Sequence, residues 1–378
     1  MTTTRPITLG QLRTHAIARS LFVPTTLPAA FRRMGFVQAD PIRAPARAQD
    51  LILRHRVKNY RDGDLERRYP RLSIEEDVLH NYGFLQRDVQ PLLHPRLLKV
   101  APRIERSHPK LSAAVLAFVR DNGPTHPRDL DADHGASSVR NYWGGSSSAA
   151  THMLDGLHYR GALRVVRRVG GIRVYAVAEH LPIAPDPPAM TAEKVRRLVG
   201  LVASLYAPLP EASLRRLVLM LRYGAPHYEP HLADRATIAR AIDAGHLVRA
   251  HVDGINWVLP PNERLIDDVA DRVRLLAPFD PVVWDRHRFE LFWGWRYRFE
   301  AYTQPAKRVL GYYALPLLWR DQVIGWVNVA NDGERLSADI GFSRPRPRAA
   351  AFRRELDTEL EAMAVFVGVE GIARMRWL

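Results

Sequence analysis

The sequence predicts a mixed α+β protein built from tandem winged helix-turn-helix units, followed by a small β-barrel-like C-terminal region and a terminal helix. Three observations support this fold class. Three predicted helices and a β-hairpin follow one another after Lys110, and the same pattern returns with Gly245 in the place of Gly161, 84 residues further on. After Leu276 the chain becomes rich in Trp, Tyr, Phe and Val, which favour strands.

The first 109 residues are predicted to form an N-terminal winged-helix-like unit. Thr8 is a suitable N-cap for a helix that extends to about Phe22. A second helix is predicted by four apolar residues at helical spacing, Leu27, Ala30, Phe31 and Met34. Gly35 is well placed to end that helix, and a third helix is expected from about Ala44 to Lys58.

Residues 110–184 are predicted to form the second winged helix. The segment "KLSAAVLAFVRDNG" predicts a helix that ends at Asn122-Gly123, and "THPRDL" and "SSSAATHMLDGLHYRG" predict two more. The segment "ALRVVRRVGGIRVYAVA" predicts a hairpin that turns at Gly170-Gly171. In a winged helix the third helix would enter a major groove of DNA, and the hairpin would contact the backbone or the minor groove.

Residues 185–275 are predicted to repeat this arrangement as a third winged helix. The Pro-rich segment "LPIAPDPPAM" at 181–190 is expected to connect the two units. "RATIARAIDAGHL" corresponds to the third helix of the preceding unit, and "LVRAHVDGINWVLP" predicts a hairpin that turns at Asp253-Gly254.

Residues 276–378 are predicted to form the β-rich C-terminal domain. A hairpin is expected at "WRDQVIG", and the tail predicts an amphipathic helix with Leu356, Leu360 and Met363 on one side. The aromatic residues of "GYYALPLLW" are interpreted as barrel core rather than as a stacking surface for bases. Asp280, Asp285 and Arg286 are interpreted as a structural ion-pair network.

The composition points to an anionic partner. The net charge is +15, the pI is near 10.4, and Met1–Tyr60 contains ten Lys or Arg against two Asp. Such a positive field favours phosphate backbones or other anionic surfaces. The chain contains no cysteine, which excludes disulfides and thiolate metal sites and is typical of a reducing compartment. No apolar segment reaches the ~20 residues that cross a bilayer, so we expect a cytoplasmic, nucleoid-associated protein without a membrane partner.

Gln38 and Asp40 lie two residues apart within this basic region, in "GFVQADPIRAPAR". A residue before proline favours an extended backbone, so both side chains should point the same way. Four arginines, Arg32, Arg33, Arg43 and Arg47, are expected nearby and should favour the charged form of Asp40. A carboxylate there can stabilise positive charge on a sugar ring or deprotonate a water that attacks C1′. On spacing alone the motif is weak, and it favours the structural interpretation in which Asp40 caps a turn and Gln38 bonds to the backbone.

The chain resembles the bacterial winged-helix DNA glycosylases of the YcaQ (AlkX) and AlkZ type along nearly its whole length. The most specific segments are "GFVQADPIRAPAR", "LLAPFDPVVWDRHRFELFWGWRYRFEAY" and "KRVLGYYALPLLW". The family signature is Gln, an apolar residue, then Gln or Asp, and Gln38-Ala39-Asp40 fits the YcaQ branch. The resemblance implies that Gln38 places the water or the sugar and that Asp40 is the base or electrostatic stabiliser. The chain departs from that branch at Gln49-Asp50, where the branch tends to have paired histidines, and at "EEDVLHNYGFLQRD".

The predicted function is that of a monofunctional DNA repair glycosylase that hydrolyses the N-glycosidic bond of N7-alkylated guanine or purine lesions, including interstrand crosslinks. The expected partner is double-stranded DNA with alkylated or crosslinked purines, with no obligate protein partner. No cofactor or metal is predicted, because the histidines show no metal-binding spacing. Residues predicted to contact DNA are Arg32, Arg33, Arg43, Arg47, Arg54, Lys58, Ser146, Ser147, His152, Arg167 and Arg168.

Two alternatives to the enzyme remain open at this point. A non-catalytic winged-helix DNA-binding protein, either a transcriptional regulator or an architectural binder, would share every feature except the need for Gln38 and Asp40. A winged-helix scaffold for protein partners would lack salt-sensitive affinity for DNA. Release of a modified base from DNA separates the enzyme from both.

Overall fold

The computed structural model describes residues 7–134, 138–140 and 146–378, with the backbone alone described for 131–134, 138–140 and 146–147. The chain forms two compact units. The first unit contains Met1–Leu65, Val199–Leu217 and Arg235–Leu378. The second unit contains Glu66–Leu198 and Val218–Asp234. The mixed α+β class predicted from the sequence is confirmed, whereas the division into four domains stays a prediction.

The first unit begins with α1 (Leu9–Ser20), α2 (Leu27–Met34), β1 (Phe36–Gln38) and α3 (Ala48–Leu53). The predicted caps are confirmed. The Thr8 hydroxyl accepts the Gln11 N–H at 3.2 Å, and the Gln11 side chain accepts the Thr8 N–H at 2.9 Å. Gly35 ends α2 with a φ of 74°.

Helix α3 is shorter than the predicted span from Ala44 to Lys58, so that prediction is wrong in extent. Proline at 45 provides no backbone N–H and keeps Ala44 out of the α region, so the helix cannot start there. At the other end Val57 forms a parallel β-bridge with Thr25, and the Lys58 N–H is donated to the Thr25 carbonyl at 2.9 Å, so the backbone has left the helix before Lys58.

The second unit contains a hairpin of β2 (Ile74–Val78) and β3 (Tyr82–Gln86) and then a winged helix. Its elements are α5 (Arg103–Ser107), α6 (Pro109–Asn122), α7 (Pro127–His134), the paired strands β4 (Ser138–Arg140) and β5 (Ser146–Ser148), α8 (Ala149–Arg160), β6 (Leu163–Val169) and β7 (Ile172–Val177). The predicted order of three helices and a wing is confirmed. Gly170 and Gly171 make the turn of the wing, both with positive φ.

The chain passes between the units at four points, once between Asp234 and Arg235 and otherwise within three helices. These are α4 (Asp64–Arg68), α9 (Pro188–Tyr206) and α10 (Glu211–Met220). Helix α9 begins inside the segment that was predicted as a Pro-rich connector, since proline is well tolerated at the first turn of a helix. The second unit also contains the short helix α11 (Glu229–Ala233). Single 3₁₀ turns occur at Tyr69–Arg71, Gln90–Leu92, Leu221–Tyr223, Pro226–Tyr228 and, in the first unit, Pro305–Lys307.

The repeated pattern places a second hairpin in the first unit. β8 (Leu209–Pro210), β9 (Val248–Val252) and β10 (Ile255–Leu259) form a sheet of order β8-β10-β9, and α12 (Ala236–Asp243) precedes it. Asp253 and Gly254 have φ of 49° and 75°, as the predicted two-residue turn requires.

The C-terminal part of the first unit is an open five-stranded sheet. Its strands, in the order β11-β12-β13-β14-β15, are β11 (Val273–Leu275), β12 (Leu315–Trp319), β13 (Gln322–Asn331), β14 (Leu336–Phe342) and β15 (Ile372–Trp377). Among the described residues the sheet does not close, which corrects the barrel-like expectation. β11 and β15 remain the edges, and α14 (Ala350–Val367) packs against both. Leu356, Leu360 and Met363 form the buried side of α14, as predicted.

The core of the first unit joins its N-terminal helix to its C-terminal segments. Leu12 and Ile17 of α1 are buried together with Trp257 of β10 and with aromatic residues of α13 (Arg286–Trp293). The rings of Trp257 and Phe292 stack with centroids 5.3 Å apart. This core fixes the N-terminal segment, which carries the Gln-x-Asp motif, to the rest of the unit. Of the helices described, none is both long and apolar enough to span a membrane.

Candidate active site

Gln38 is the last residue of β1, and its side-chain oxygen is held by a tryptophan. The indole Nε1 of Trp284 donates a hydrogen bond to Gln38 Oε1 at 2.8 Å. The ring of Tyr206 lies against that indole, with centroids 5.0 Å apart. Gln38 is buried, with 9% of its surface exposed, so the orientation of the amide is fixed.

Asp40 is 8% exposed and lies in a tight local turn. Its Oδ1 accepts the N–H of Ile42 at 3.0 Å, and its own N–H is donated to Gln49 Oε1 at 3.2 Å. The second carboxylate oxygen, Oδ2, is not engaged by this turn. Two residues of the C-terminal segments lie close enough for the charge on Asp40 to raise their pKa values, Tyr302 and Tyr313, although burial raises both more.

The pKa of the Asp40 carboxyl lies above its ordinary value. Burial raises this pKa, and the hydrogen bond from Ile42 acts in the opposite direction. The expectation that neighbouring arginines favour the charged form is therefore wrong in direction. Arg43 forms an ion pair with Asp62 at 2.9 Å, and the Arg33 guanidinium lies 4.2 Å from the centre of the Phe22 ring. Desolvation outweighs the positive field at this carboxyl.

Helix α3 contributes two buried side chains that hold the backbone around the site, Gln49 and Asp50. Asp50 Oδ1 accepts the Tyr60 hydroxyl at 2.7 Å and the Gly63 N–H at 3.3 Å. Burial raises the pKa of Asp50 to about 6, with the Tyr60 hydrogen bond opposing it. Gln49 and Asp50 are thus a supporting pair, because Gln49 holds the Asp40 backbone and Asp50 holds the adjoining loop.

The predicted cationic residues of the first unit differ in how available they are. Arg32 and Lys58 are exposed, as are Arg33 and Arg43 with the contacts given above, and Arg47 is half-buried at the N-cap of α3. Arg54 is different, because its side chain is 5% exposed and both terminal nitrogens donate to Glu359 Oε1. We therefore leave Arg54 out of the proposed DNA surface.

In the second unit Arg167 is exposed on the wing, whereas Arg168 forms an ion pair with the fully buried Glu76. His152 on α8 is half-buried, and its Nε2 is buried without a hydrogen-bond partner among the described residues. The side chains of Ser146 and Ser147 lie outside the described part of the chain. Ser148 caps α8 by accepting the Thr151 N–H at 3.2 Å.

Asp280 and Asp285 have structural roles, as predicted. Asp280 and Arg56 form an ion pair at 2.8 Å in which both side chains are fully buried. Asp285 caps α13, accepts the Ser213 hydroxyl at 2.9 Å and pairs with Arg216. Arg286 donates to the carbonyl oxygens of Val283 and Pro278 rather than to a carboxylate.

Sequence reasoning missed Trp284, Gln49 and Tyr313 as parts of the site. Trp284 is 246 positions from Gln38, and no local pattern connects two such residues. Gln49 lies nine residues after Asp40, within a helix that was predicted, so its direction was the missing information. Within residues 7–134, 138–140 and 146–378, no group of three His, Asp or Glu is placed to hold a metal ion.

The fold and comparison with known proteins define the class as a DNA glycosylase, a hydrolase of N-glycosidic bonds in DNA. The family model for DNA glycosylase AlkZ-like proteins matches residues 31–366. The chain therefore belongs to the AlkZ-like DNA glycosylase family. Its fold is similar to that of the Streptomyces sahachiroi DNA glycosylase AlkZ, with a TM-score of 0.63 at 16% identity, over 99% of this chain and 100% of that chain.

Proposed function

We propose that this glycosylase hydrolyses the N-glycosidic bond of N7-alkylated guanine and related purines in duplex DNA, including guanines within interstrand crosslinks. We also propose that Gln38 and Asp40 are its catalytic residues. The observation that supports this most is the Asp40 carboxyl: it is nearly buried, its pKa is raised, and it lies two residues from Gln38, an equally buried glutamine whose orientation is fixed. On this proposal the protein works on the nucleoid.

The chemistry follows from an oxocarbenium-like transition state. As the bond between C1′ and N9 lengthens, positive charge develops on the sugar, and a carboxylate at C1′ lowers its energy. The electron pair of the breaking bond goes to the purine, which is already cationic when alkylated at N7 and needs no acid. Water forms the new bond to C1′ and gives its proton to Asp40. The products are the free base and an abasic site, and the strand is left uncut.

The geometry at Asp40 suits this role. The Ile42 hydrogen bond fixes Oδ1 and thereby the plane of the carboxyl, which leaves Oδ2 for the sugar or the water. A raised pKa makes the carboxylate a better proton acceptor than an exposed aspartate, as long as the group is ionised at the working pH. We expect the duplex to be held by exposed basic residues, with Arg32, Arg33, Arg43, Lys58 and Arg167 the main candidates for phosphate contacts.

The direct test is base release from a duplex that carries a single 7-methylguanine. The wild type should release the base, Asp40→Asn should reduce the rate at least about 100-fold, and Gln38→Ala should reduce it by a smaller factor. Asp267→Asn, which removes an exposed carboxylate of the same unit, is the matched control and should retain the wild-type rate. A crosslinked duplex tested in parallel shows whether unhooking belongs to the same activity.

Duplex affinity separates a catalytic role from a binding role. Asp40→Asn should bind the duplex as tightly as the wild type or slightly more tightly, because it removes a negative charge from a surface that faces phosphates. If Asp40→Asn releases 7-methylguanine at the wild-type rate, the assignment of Asp40 fails. If the wild type releases no base from either substrate, the proposed substrate class fails.

A further inference from the structure

The segment "PFDPVVWDRHR" at 278–288, one of the most specific parts of the sequence, holds Trp284 in a fixed turn of the first unit. The backbone carbonyl of Asp280 accepts the N–H groups of Val283 and Trp284, each at 2.8 Å, and its Oδ1 accepts a further backbone N–H of the segment at 3.0 Å. On the other side of the tryptophan, Asp285 caps α13. Both carboxylates are fully buried. The backbone is therefore fixed immediately before and after Trp284.

Two buried residues fix the indole ring itself, Tyr206 and Arg288. The ring of Tyr206 lies against the Trp284 indole, with centroids 5.0 Å apart. One terminal nitrogen of Arg288 donates to the Tyr206 carbonyl, and the other donates to the Val282 carbonyl at 3.0 Å. Arg288 thereby joins the tyrosine to the turn that carries the tryptophan. None of these contacts involves Gln38, so the indole can act as a fixed reference for that side chain.

The hydrogen bond of 2.8 Å from Trp284 Nε1 to Gln38 Oε1 favours one of the two orientations of the amide. Rotation of the amide by about 180° around its last side-chain bond would turn its NH₂ group toward the indole N–H. Two donors would then face each other, and the hydrogen bond would be lost. Gln38 is buried, so a donor left unsatisfied there is costly. The tryptophan therefore selects the orientation of a group whose two ends are nearly equal in shape.

We infer that Trp284 is a positioning residue of the active site and that segment 278–288 is folded to hold it. Trp284 acts through Gln38, because it keeps the amide in the orientation in which Gln38 places the water or the sugar for Asp40. The buried carboxylates of Asp280 and Asp285 then serve the reaction as well as the stability of the fold. This inference rests on the proposed function, because it names the residue that orients one of the two side chains proposed to be catalytic.

The first test is Trp284→Phe, which keeps an aromatic ring and removes the indole N–H. At saturating enzyme, the single-turnover rate of 7-methylguanine release from the duplex should fall about tenfold, as expected for the loss of one hydrogen bond that orients a reacting group. The affinity for the duplex should be unchanged, since Trp284 acts on Gln38 rather than on DNA. Trp326→Phe is the matched control and should retain the wild-type rate. Trp326 is a half-buried tryptophan of the same unit, and its Nε1 has no hydrogen-bond partner among the described residues.

A double-mutant cycle with Gln38→Ala separates positioning from a general loss of structure. Without the amide there is nothing for Trp284 to orient, so adding Trp284→Phe to Gln38→Ala should not lower the rate further. NMR provides a readout that needs no catalysis. The acceptor shifts the indole N–H proton of Trp284 downfield, so its resonance should move upfield in Gln38→Ala, whereas the Trp326 resonance should stay in place.

The positioning role is overturned if Trp284→Phe releases base at the wild-type rate, or if it lowers the rate by the same factor with and without Gln38→Ala. Neither result touches the proposed function, which is tested by Asp40→Asn. If the wild type releases no base, the proposed function fails and the NMR measurement alone decides the positioning role. An unmoved Trp284 resonance in Gln38→Ala then overturns it, and a shifted one supports the fixed amide. That measurement leaves Trp284 intact, so it stays informative even if Trp284→Phe does not fold.

Discussion

Replacing Asp50 with asparagine should change how the stability of the protein depends on pH. Asp50 is buried next to Gln49 in α3 and accepts hydrogen bonds from the Tyr60 hydroxyl and the Gly63 N–H. Asparagine keeps the acceptor oxygen for both donors and removes the charge. The substitution therefore isolates the cost of burying the ionised carboxylate.

The magnitude follows from the pKa of Asp50. Burial raises it from 3.8 to about 6, so the folded protein binds this proton more tightly than the unfolded chain does. The resulting stabilisation is present in full below pH 3.8 and is lost as pH rises through about 6. At about 1.4 kcal/mol per pH unit, the difference between the two pKa values corresponds to about 3 kcal/mol, of which about 2 kcal/mol is lost between pH 4 and pH 8.

The assay is denaturant unfolding of the wild type and Asp50→Asn from pH 4 to pH 8. The free energy of unfolding of the variant, relative to the wild type, should rise by about 2 kcal/mol across this range. Asp267→Asn, at an exposed position of the same unit, should show a nearly constant difference from the wild type. A constant difference for Asp50→Asn as well would show that burial does not raise this pKa and would refute the reasoning.

Three other predictions concern the ion pairs, the wing and the acid limb of activity. Asp280→Asn should lower the free energy of unfolding by about 3–5 kcal/mol, because it leaves the guanidinium of Arg56 buried without its counter-charge; a loss below 1 kcal/mol in denaturant unfolding would contradict this. Arg167→Ala should reduce the slope of log DNA affinity against log salt concentration by about one. Arg168→Ala removes a residue that is already paired with Glu76, so it should change this slope less than Arg167→Ala does and should lower the stability of the protein more. The rate of base release should fall as pH is lowered through the raised pKa of Asp40. The midpoint of the acid limb should therefore lie above pH 3.8, the pKa of an ordinary aspartate. A pH–rate profile with a midpoint at or below that value would contradict this prediction.

The elements that local chemistry determines were predictable from the sequence. Thr8 and Gly35 bound their helices, and Asp253-Gly254 and Gly170-Gly171 turn their hairpins, because each of these needs only a cap or a positive φ within a few residues. The Gln-x-Asp motif was recognisable because it also is local. The β2–β3 hairpin and α13 were missed, since their apolar residues show no simple alternation and their strands and helix are defined by distant packing.

The electrostatic state of the site was not predictable, and the reason is physical. Counting arginines near Asp40 in the sequence predicts a lowered pKa, whereas the folded chain buries the carboxyl and engages Arg43 with Asp62. Burial depends on segments far away in sequence, such as those that carry Trp284 and Tyr313. Charge composition therefore indicated the partner correctly, but it did not give the protonation behaviour of the single carboxyl on which the chemistry depends.

The hydrogen bond from Trp284 determines which terminal atom of the Gln38 side chain is the oxygen and which is the nitrogen. An indole nitrogen can only donate, so the atom it meets must be the amide oxygen, and the amide NH₂ then lies on the other branch of the side chain. The amide NH₂ of Gln38 can therefore only donate hydrogen bonds. A group with this polarity can hold the oxygen of an incoming water, or of the deoxyribose ring, while Asp40 accepts the proton, so the two side chains of the motif divide donor and acceptor between them.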